Sequence, residues 1–324
     1  MQKISIVIPL FNEEETFPLL YDRLTTALET DFKAFIHEII FINDGSTDQT
    51  ASLLKHYALQ DDRLVVINFS RNFGHMTAIT AGLDYAQGDY IVMMDGDLQD
   101  RPEDIIFMYK KLHEGFDVVY SQRLNKKFSF FKRISSFLFM RVLTFLLNED
   151  VEMNTTIFRI MRKCVVDEVK KMREGQRYVI GLIGWVGFKH TSIPLQHAAR
   201  EKGITKYTFF KQVGLALDTI CSFSTYPLRF LSRLGLILIV ISFCLALFII
   251  FRRVLYGASV VGWSSLIVTI IFFGGLQVFS LGILGEYLGR SYIELKRRPL
   301  YVVASLWKYS KVVSIDTVTY EKEW

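Results

Sequence analysis

Two carboxylates separated by a single residue, Asp95 and Asp97, follow the apolar run 90–94 of this 324-residue sequence. Side chains two positions apart in extended backbone project to the same side of the chain. Hard carboxylate oxygens suit Mg²⁺ or Mn²⁺, whose coordination shells phosphate oxygens and water commonly complete. The segment MMDGDLQD at 93–100 therefore predicts a divalent-metal site, although its composition also fits a solvated acidic turn.

Three further polar segments each follow a predicted strand. They read IPLFNEEE at 8–15, FINDGSTD at 41–48 and SRNFGH at 70–75. Each is a weak signal by itself, since Asp-Gly-Ser is a common turn and Asn-Glu-Glu suits the start of a helix. Parallel sheets bind ligands at the carboxyl ends of their strands, so the four loops together predict one binding edge. The sequence has neither GxGxxG after its first strand nor GxxxxGK[ST], which argues against dinucleotide oxidation and P-loop phosphoryl transfer.

The elements that must position these loops alternate along the first 120 residues. Short runs rich in β-branched residues predict strands at 4–8, 38–42, 64–69, 90–94 and 118–120. Amphipathic segments predict helices at 13–28, 48–59, 75–86 and 102–113. This alternation predicts right-handed βαβ units and a mostly parallel α/β sheet.

Two later segments, 234–251 and 254–285, contain no charged residue. Their lengths suit the roughly 20 residues that cross ~30 Å of hydrocarbon as a helix. Basic residues are more numerous outside the pair, at 229, 233, 290 and 296–298, than between the two segments, at 252 and 253. The asymmetry predicts a transmembrane hairpin with both outer ends in the cytoplasm, a buried core hairpin being the alternative.

The remaining composition indicates a membrane surface and no nucleic-acid partner. The segment 128–147 is apolar except for Lys132, Arg133 and Arg141. This composition predicts either an interfacial helix, with the basic residues facing lipid phosphates, or a buried helix. The segment 207–226 is a second candidate for an interfacial helix. The net charge of +5 is too small to predict nucleic-acid binding, and three cysteines without a CxxC pair predict neither disulfides nor zinc. The predicted domains are 1–227 (α/β, with the interfacial helices), 228–288 (hairpin) and 289–324 (cytoplasmic tail).

The loop sequences resemble those of a known family. IPLFNEEE, INDGSTDQT, SRNFGH, AGLDYAQGDY and MDGDLQDRPE together resemble family 2 glycosyltransferases with the GT-A fold. More narrowly they resemble the polyprenyl-phosphate glycosyltransferases, relatives of dolichyl-phosphate mannose synthase and bactoprenol glucosyltransferase. LDTICSFSTYPLR and GGLQVFSLGILGEYLGRSYIELKRRPLYVV extend the resemblance to about residues 3–303. The QxxRW motif of processive polysaccharide synthases is not found in the sequence.

The resemblance implies a role for individual residues. It places a nucleotide-sugar pocket at Pro9, Asn12, Glu14, Asp44, Ser46, Arg71 and Asp95. It implies that Asp95 and Asp97 hold the donor diphosphate through Mg²⁺ or Mn²⁺, with Gln99 and Asp100 beside the sugar as further catalytic residues. It places the acceptor phosphate at Arg200, Lys206 and Tyr207 of REKGITKY, where cationic side chains form charge-assisted hydrogen bonds.

The reaction that the resemblance implies is an inverting transfer. A hexose or N-acetylhexosamine moves from a nucleotide-diphosphate sugar, UDP being favoured, to undecaprenyl or another polyprenyl phosphate. The protein is then expected in a bacterial inner membrane as a multi-pass protein with a cytoplasmic catalytic domain. Its expected partners are a second copy of itself, a flippase and a downstream glycosyltransferase that uses the lipid-linked sugar.

The sequence departs from the family at one position. Many relatives have Gly-Asp-Phe-Arg where this chain has Thr156-Ile157-Phe158-Arg159. An acceptor phosphate has a second pKa of about 6 and is largely anionic near neutral pH, so it needs positioning more than deprotonation. Two alternatives stay open: a non-catalytic relative that binds nucleotide sugar or carrier lipid for a partner complex, and a glycosyltransferase with a diacylglycerol acceptor.

Overall fold

The computed structural model describes residues 1–123, 155–175, 177–195, 226–256, 262–308 and 311–314. These residues divide into two compact units, one containing all the described strands and the other containing two long helices. The interfacial helix predicted at 128–147 lies outside the described residues, and so does the one predicted at 207–226 except for Tyr226.

The first unit alternates strands and helices along its N-terminal half, as the sequence pattern predicts. Its strands are β1 Lys3–Leu10, β2 Ile36–Asn43, β3 Leu64–Phe69, β4 Tyr90–Met93, β5 Val118–Arg123, β6 Thr155–Arg162, β7 His190–Leu195, β8 Val303–Lys308 and β9 Lys311–Ser314. Its helices are α1 Phe17–Asp31, α2 Thr50–Ala58, α3 His75–Tyr85, α4 Ile105–Leu112 (after a 3₁₀ turn, Pro102–Asp104), α5 Lys163–Lys171 and α6 Val179–Trp185.

The nine strands form one sheet in the order β7-β5-β6-β4-β1-β2-β3-β8-β9. The central strands β3, β2, β1 and β4 are parallel to one another. Among the described strands only β6 and β8 run in the opposite direction. The prediction of a mostly parallel α/β sheet is therefore confirmed.

The strand order reverses beside β1. The chain proceeds outward from β1 through β2 to β3, and α3 then returns it to β4 on the other side of β1. In open α/β sheets such a reversal leaves a crevice at the carboxyl ends of the two strands that flank it. The loops after β1 and β4 therefore lie next to each other, and each carries one of the predicted chemical motifs.

Both faces of the central sheet are covered by helices. Ile6 and Phe41 lie on one face and belong to a fully buried cluster with Phe17 and Leu24 of α1. Val7, also fully buried, faces the opposite layer, where α3 packs. Each such side chain contributes about 1.5–3 kcal/mol by burial, which explains why these strands are nearly continuous apolar runs.

The described segment that follows residue 298 adds two strands to this sheet. β8 pairs antiparallel with β3, and Val303, Leu306 and Trp307 are buried there. The described residues 298–308 and 311–314 group with the first unit, so the segment expected as a tail at 289–324 contributes two strands to the sheet. The reason is physical: Trp307 and its apolar neighbours remove surface from water at an edge that β3 would otherwise leave unpaired.

The second unit contains α7 (Tyr226–Tyr256) and α8 (Trp263–Leu295). Within the described residues, one helical stretch is long and apolar enough to cross a membrane: Thr269–Leu295, 27 residues that include an 18-residue window of mean hydropathy 1.5. Helix α7 contains a shorter apolar stretch, Phe230–Leu245. One candidate span is thus found, and the two-span hairpin stays a prediction.

Candidate functional site

The loops after β1 and β2 are interlocked by side chains that the sequence assigned to the pocket. Asn12 has a positive φ of 56°, which an asparagine tolerates better than most residues. Its backbone N–H donates to Ser46 Oγ at 3.0 Å, and its Oδ1 accepts from the Thr47 N–H at 2.8 Å. Ser46 therefore connects the loop after β2 to the loop after β1. Helix α2 begins at Thr50 and has no side-chain cap.

Glu14 adds a second connection between the same two loops. Its Oε2 accepts from the Gln49 N–H at 2.8 Å, and its own N–H donates to Asp48 Oδ2 at 3.2 Å. Burial favours the neutral form of Asp48, but hydrogen bonds from Thr50 and the Glu14 amide outweigh it and lower the pKa of the Asp48 carboxyl. Asn12, Ser46 and Glu14 thus hold the loops after β1 and β2 together through contacts with protein.

Asp44 joins the second loop to the third. The carboxylate, only 3% exposed, accepts from the Phe73 N–H at 2.7 Å and from the Gly74 N–H at 3.0 Å. Burial raises the pKa of Asp44, and the two amide hydrogen bonds only partly offset that effect. A hydrogen-bonded carboxylate retains acceptor capacity, so Asp44 can organise the SRNFGH loop and still bind a ligand donor.

Gly45 permits this close approach. Its φ is +67°, and a Cβ placed on it would lie 2.4 Å from the Arg71 carbonyl carbon and 2.5 Å from the Asn72 nitrogen. Arg71 itself is exposed, with its guanidinium carbon 4.1 Å from the centroid of the Phe73 ring. The second loop therefore needs glycine at position 45 to contact the backbone of the third.

The loop after β4 holds the predicted metal residues. Asp95 Oδ1 is buried and accepts no hydrogen bond, and His75 Nε2 lies 3.2 Å from it. Asp97 Oδ1 accepts from the Gln99 N–H at 3.1 Å, while the Asp95 N–H points to Asp100 Oδ2 at 3.4 Å. Asp95, Asp97, Gln99 and Asp100 thus belong to one tight loop.

The end of β1 brings the second and fourth loops together. The carbonyl oxygen of Leu10 accepts from the Asp44 N–H at 2.9 Å. A Cβ on Gly96 would lie 2.2 Å from Leu10 Cδ2 and 3.2 Å from the Pro9 carbonyl oxygen, so the β4 loop packs directly on β1. Pro9 is buried within β1 and contributes to this junction through its backbone.

Arg159 of β6 is a feature of the site that sequence reasoning did not assign. Its guanidinium is completely buried; Nε and Nη2 donate to the carbonyl oxygens of Ile157 and Thr156, and Nη1 has no hydrogen-bond partner. Register places it beside Met93, two residues before Asp95, and its guanidinium carbon lies 4.8 Å from the Tyr120 ring centroid.

Burial lowers the pKa of Arg159, and interactions with Tyr120, Tyr178 and Asp95 partly offset this effect. An arginine nevertheless stays cationic in proteins. The FR dipeptide at 158–159 was the available signal, because a charged residue in a buried strand requires an explanation.

The predicted acceptor-phosphate residues Arg200, Lys206 and Tyr207 lie outside the described residues. Ile157, which replaces the family aspartate, lies on β6 and is half-buried. The described part of the site therefore comprises the four loops, the carboxylates of Asp95 and Asp97, and the buried Arg159 guanidinium.

Comparison with known proteins identifies the family. The model of glycosyl transferase family 2 matches residues 5–170. The chain therefore belongs to glycosyltransferase family 2 and has the α/β GT-A fold of that family, which confirms the resemblance read from its loops.

Individual relatives match over nearly the whole chain. An uncharacterised glycosyltransferase of Bacillus subtilis is 41% identical over 300 residues, 92% of each chain. A prophage bactoprenol glucosyl transferase homologue of Escherichia coli K12 is 39% identical, over 94% of this chain and 100% of the relative. The bactoprenol glucosyl transferase of Shigella phage SfII is also 39% identical, over 93% of this chain and 97% of the relative.

Among solved structures, glucosyl-3-phosphoglycerate synthase from Mycobacterium tuberculosis is similar with a TM-score of 0.50. That likeness has 20% sequence identity and covers 68% of this chain and 76% of the synthase. It supports the fold.

Proposed function

We propose that this glycosyltransferase moves a sugar from a nucleotide-diphosphate donor, with UDP favoured, to polyprenyl phosphate at a bacterial membrane. The observation that carries the proposal is the buried Asp95 Oδ1, which lacks a hydrogen-bond donor at the point where the loops of the site meet. The relatives named bactoprenol glucosyl transferases support a polyprenyl phosphate acceptor.

Asp95 and Asp97 fit a divalent cation. A buried carboxylate oxygen without a donor is costly unless a proton or a cation compensates it. The described residues contain no group of three or more His, Cys, Asp or Glu side chains suited to a metal. Two protein carboxylates would therefore hold Mg²⁺ or Mn²⁺, with donor diphosphate and water completing the shell. When bound, such an ion stabilises the negative charge of the departing diphosphate.

The chain's own residues provide the remaining electrostatics of the donor side. The Arg159 guanidinium is a permanent cation close to Asp95, inside a sheet where charges interact more strongly than in water. Exposed Arg71 is held by the Phe73 ring and by the Asn72 carbonyl oxygen, to which its Nη1 donates at 3.1 Å, and Asp44 keeps the loop that carries it in place. These groups are fixed before the donor binds, so little reorganisation is needed during transfer.

The proposed reaction is one displacement. An oxygen of the acceptor phosphate attacks the anomeric carbon on the face opposite the nucleotide diphosphate. The new carbon–oxygen bond forms as the bond to the diphosphate breaks, and the diphosphate leaves with the electron pair, inverting the configuration. The phosphate is already ionised, so Ile157 in place of an aspartate does not prevent the step. Arg200, Lys206 and Tyr207 are proposed to hold the acceptor phosphate.

A membrane location is supported by α8. Ile271, Val278 and Leu288 of this helix are 68%, 71% and 70% exposed. Apolar surface of this extent is expected to face lipid or protein and not water. We propose that α7 and α8 together form the two-span anchor. The suggested homo-oligomer, flippase and downstream glycosyltransferase stay predictions.

Transfer assays in detergent would test the proposal. A panel of radiolabelled UDP- and GDP-sugars would be offered with undecaprenyl phosphate and Mg²⁺ or Mn²⁺, and lipid-soluble label would be counted. One donor should give product, and Asp97→Ala or chelator should reduce the rate by about 10²–10³-fold, as loss of one preorganised electrostatic group does. Asp62→Ala, which removes an exposed carboxylate distant from the loops, serves as the matched control.

Other outcomes would assign the protein differently. Full activity of Asp97→Ala in the presence of chelator would overturn the metal site. Retained nucleotide binding without product from any donor would indicate the non-catalytic alternative. Product formed with diacylglycerol and not with polyprenyl phosphate would reassign the acceptor.

A further inference from the structure

The segment that follows α8 lies alongside the start of the SRNFGH loop. β8 pairs with β3 so that Val303 is opposite Phe69, the last residue of β3. The Ser70 N–H then donates to the Val302 carbonyl oxygen at 3.0 Å. The residues immediately before β8 therefore contact the loop at the point where it leaves the sheet.

Tyr301 is held at both ends of its side chain. Its ring stacks on Phe69, with centroids 5.2 Å apart and planes 19° from parallel. Its hydroxyl donates to Asp84 Oδ2 at 2.9 Å, and Arg173 Nη1 lies 2.7 Å from the same oxygen. Burial, together with Asp84, raises the pKa of Tyr301, so the hydroxyl stays protonated and remains a donor.

Phe69 transmits this contact into the loop. The Phe69 ring meets the Phe73 ring edge-to-face at 5.6 Å. Phe73 in turn supports the Arg71 guanidinium at 4.1 Å and donates its N–H to Asp44. Asp84 lies near the carboxyl end of α3, the helix that follows the loop, so Tyr301 contacts both the strand before the loop and the helix after it.

Building on the function proposed above, we propose that Tyr301 is a positioning residue for the nucleoside diphosphate of the donor. By fixing Phe69 before the loop and the carboxyl-terminal turn of α3 after it, Tyr301 holds Arg71 and Asp44 in the arrangement that meets the nucleotide. The stacked ring carries most of this effect, and the bond to Asp84 orients the ring. Loss of Tyr301 then weakens donor binding and leaves the displacement itself intact.

The experiment compares three variants of the full-length chain in detergent. Binding of UDP with Mg²⁺ is measured by calorimetry, and transfer is measured at varied donor and acceptor concentrations. Tyr301→Ala removes the stack and the hydroxyl bond, whereas Tyr301→Phe keeps the stack. Tyr21→Ala is the matched control, because Tyr21 also donates to a carboxylate, Asp61 at 2.6 Å, and packs on an aromatic ring, but belongs to α1.

Tyr301→Ala is expected to raise the UDP Kd and the donor KM about tenfold, the scale set by loss of a well-packed aromatic pair. Its kcat and acceptor KM should stay within about twofold of wild type, since no group that contacts the reacting atoms is removed. Tyr301→Phe should stay within about threefold in UDP affinity, because a conserved stack retains most of the contact. Tyr21→Ala should lower the melting temperature without changing UDP affinity.

An unchanged UDP Kd in Tyr301→Ala would overturn the positioning role. An equal loss in Tyr21→Ala would do the same, because the effect would then reflect general destabilisation. If wild type binds UDP but transfers no sugar, the proposed function fails while the binding comparison still decides the role of Tyr301. If wild type binds no UDP, the role for a uridine donor is overturned.

Discussion

Substitution of Gly45 by alanine would separate the loops after β2 and β3, which carry part of the proposed donor site. The added Cβ would meet backbone atoms, the Arg71 carbonyl carbon at 2.4 Å and the Asn72 nitrogen at 2.5 Å. Backbone cannot rotate away as the end of a side chain can. The third loop must therefore move, and the Asp44 carboxylate then loses its hydrogen bonds to the Phe73 and Gly74 amides.

Two terms set the size of the effect. An L-residue at the positive φ of Gly45 costs about 1–2 kcal/mol. Overpacking against backbone costs about 1–3 kcal/mol more. The expected loss in the free energy of unfolding is therefore about 2–5 kcal/mol, and each kcal/mol lowers the melting temperature by about 2–4 °C in a domain of this size.

The substitution Gly187→Ala distinguishes the conformational cost of a positive φ from the cost of overpacking. Gly187 has a similar φ of +71°, but nothing lies within 4 Å of a Cβ placed on it. It should show only the conformational cost of about 1–2 kcal/mol. Thermal unfolding and UDP titration of both variants in detergent would measure the difference, with UDP affinity expected to fall at least about tenfold in Gly45→Ala alone.

The reasoning would be refuted if Gly45→Ala and Gly187→Ala had the same melting temperature and the same UDP affinity. That result would mean that the loops after β2 and β3 do not depend on their close contact. Loss of stability without loss of UDP affinity would refute only the link between loop spacing and donor binding.

Three further substitutions test other parts of the structure. Glu38→Gln should cost about 1–2 kcal/mol at pH 7, because Glu38 accepts hydrogen bonds from Lys3, Ser5 and the Gln87 amide. Burial raises the pKa of Glu38, but these hydrogen bonds outweigh it and lower the pKa below the ordinary 4.5. Their contribution to stability is therefore present above pH 4.5 and is lost as the pH falls through the lower pKa of the folded state. Urea unfolding from pH 7 to 3 should show the free energies of unfolding of wild type and variant converging. Arg159→Met should reduce kcat about tenfold or more with a small change in melting temperature, since an incompletely satisfied buried charge adds little stability; unchanged kcat would remove Arg159 from the site. Ile157→Asp should change kcat by less than about tenfold if the acceptor phosphate needs no base, and a larger gain would show that it does.

The layered core explains why the N-terminal fold could be predicted from local patterns. Each of the five predicted strands corresponds to one observed strand, and the predicted helices correspond to α1 through α4. Bounds differ at the ends, as at α1, which begins at Phe17 and not at residue 13 because the preceding residues bond to the second loop. Strands buried on both faces and amphipathic helices leave a strong periodic signal.

Later elements left weaker signals. β6 and β7 are strands of mixed composition, and β8 and β9 lie far along the sequence from β3, which β8 joins. Pairing over such a separation depends on the exposed edge of β3 and leaves no mark in local periodicity. The same holds for Tyr301, whose partners Phe69 and Asp84 are more than two hundred residues away in the chain.

The sequence by itself determined the four loops, their place at strand ends and the carboxylate pair, because strand alternation and motif spacing are local properties. Only the tertiary structure decided how those side chains are used. Asn12, Glu14 and Ser46 bond to neighbouring loops, Asp44 holds the SRNFGH backbone, and Asp95 Oδ1 is left without a donor. Burial and hydrogen-bond satisfaction depend on what packs around a group, and that surrounding comes from distant parts of the chain.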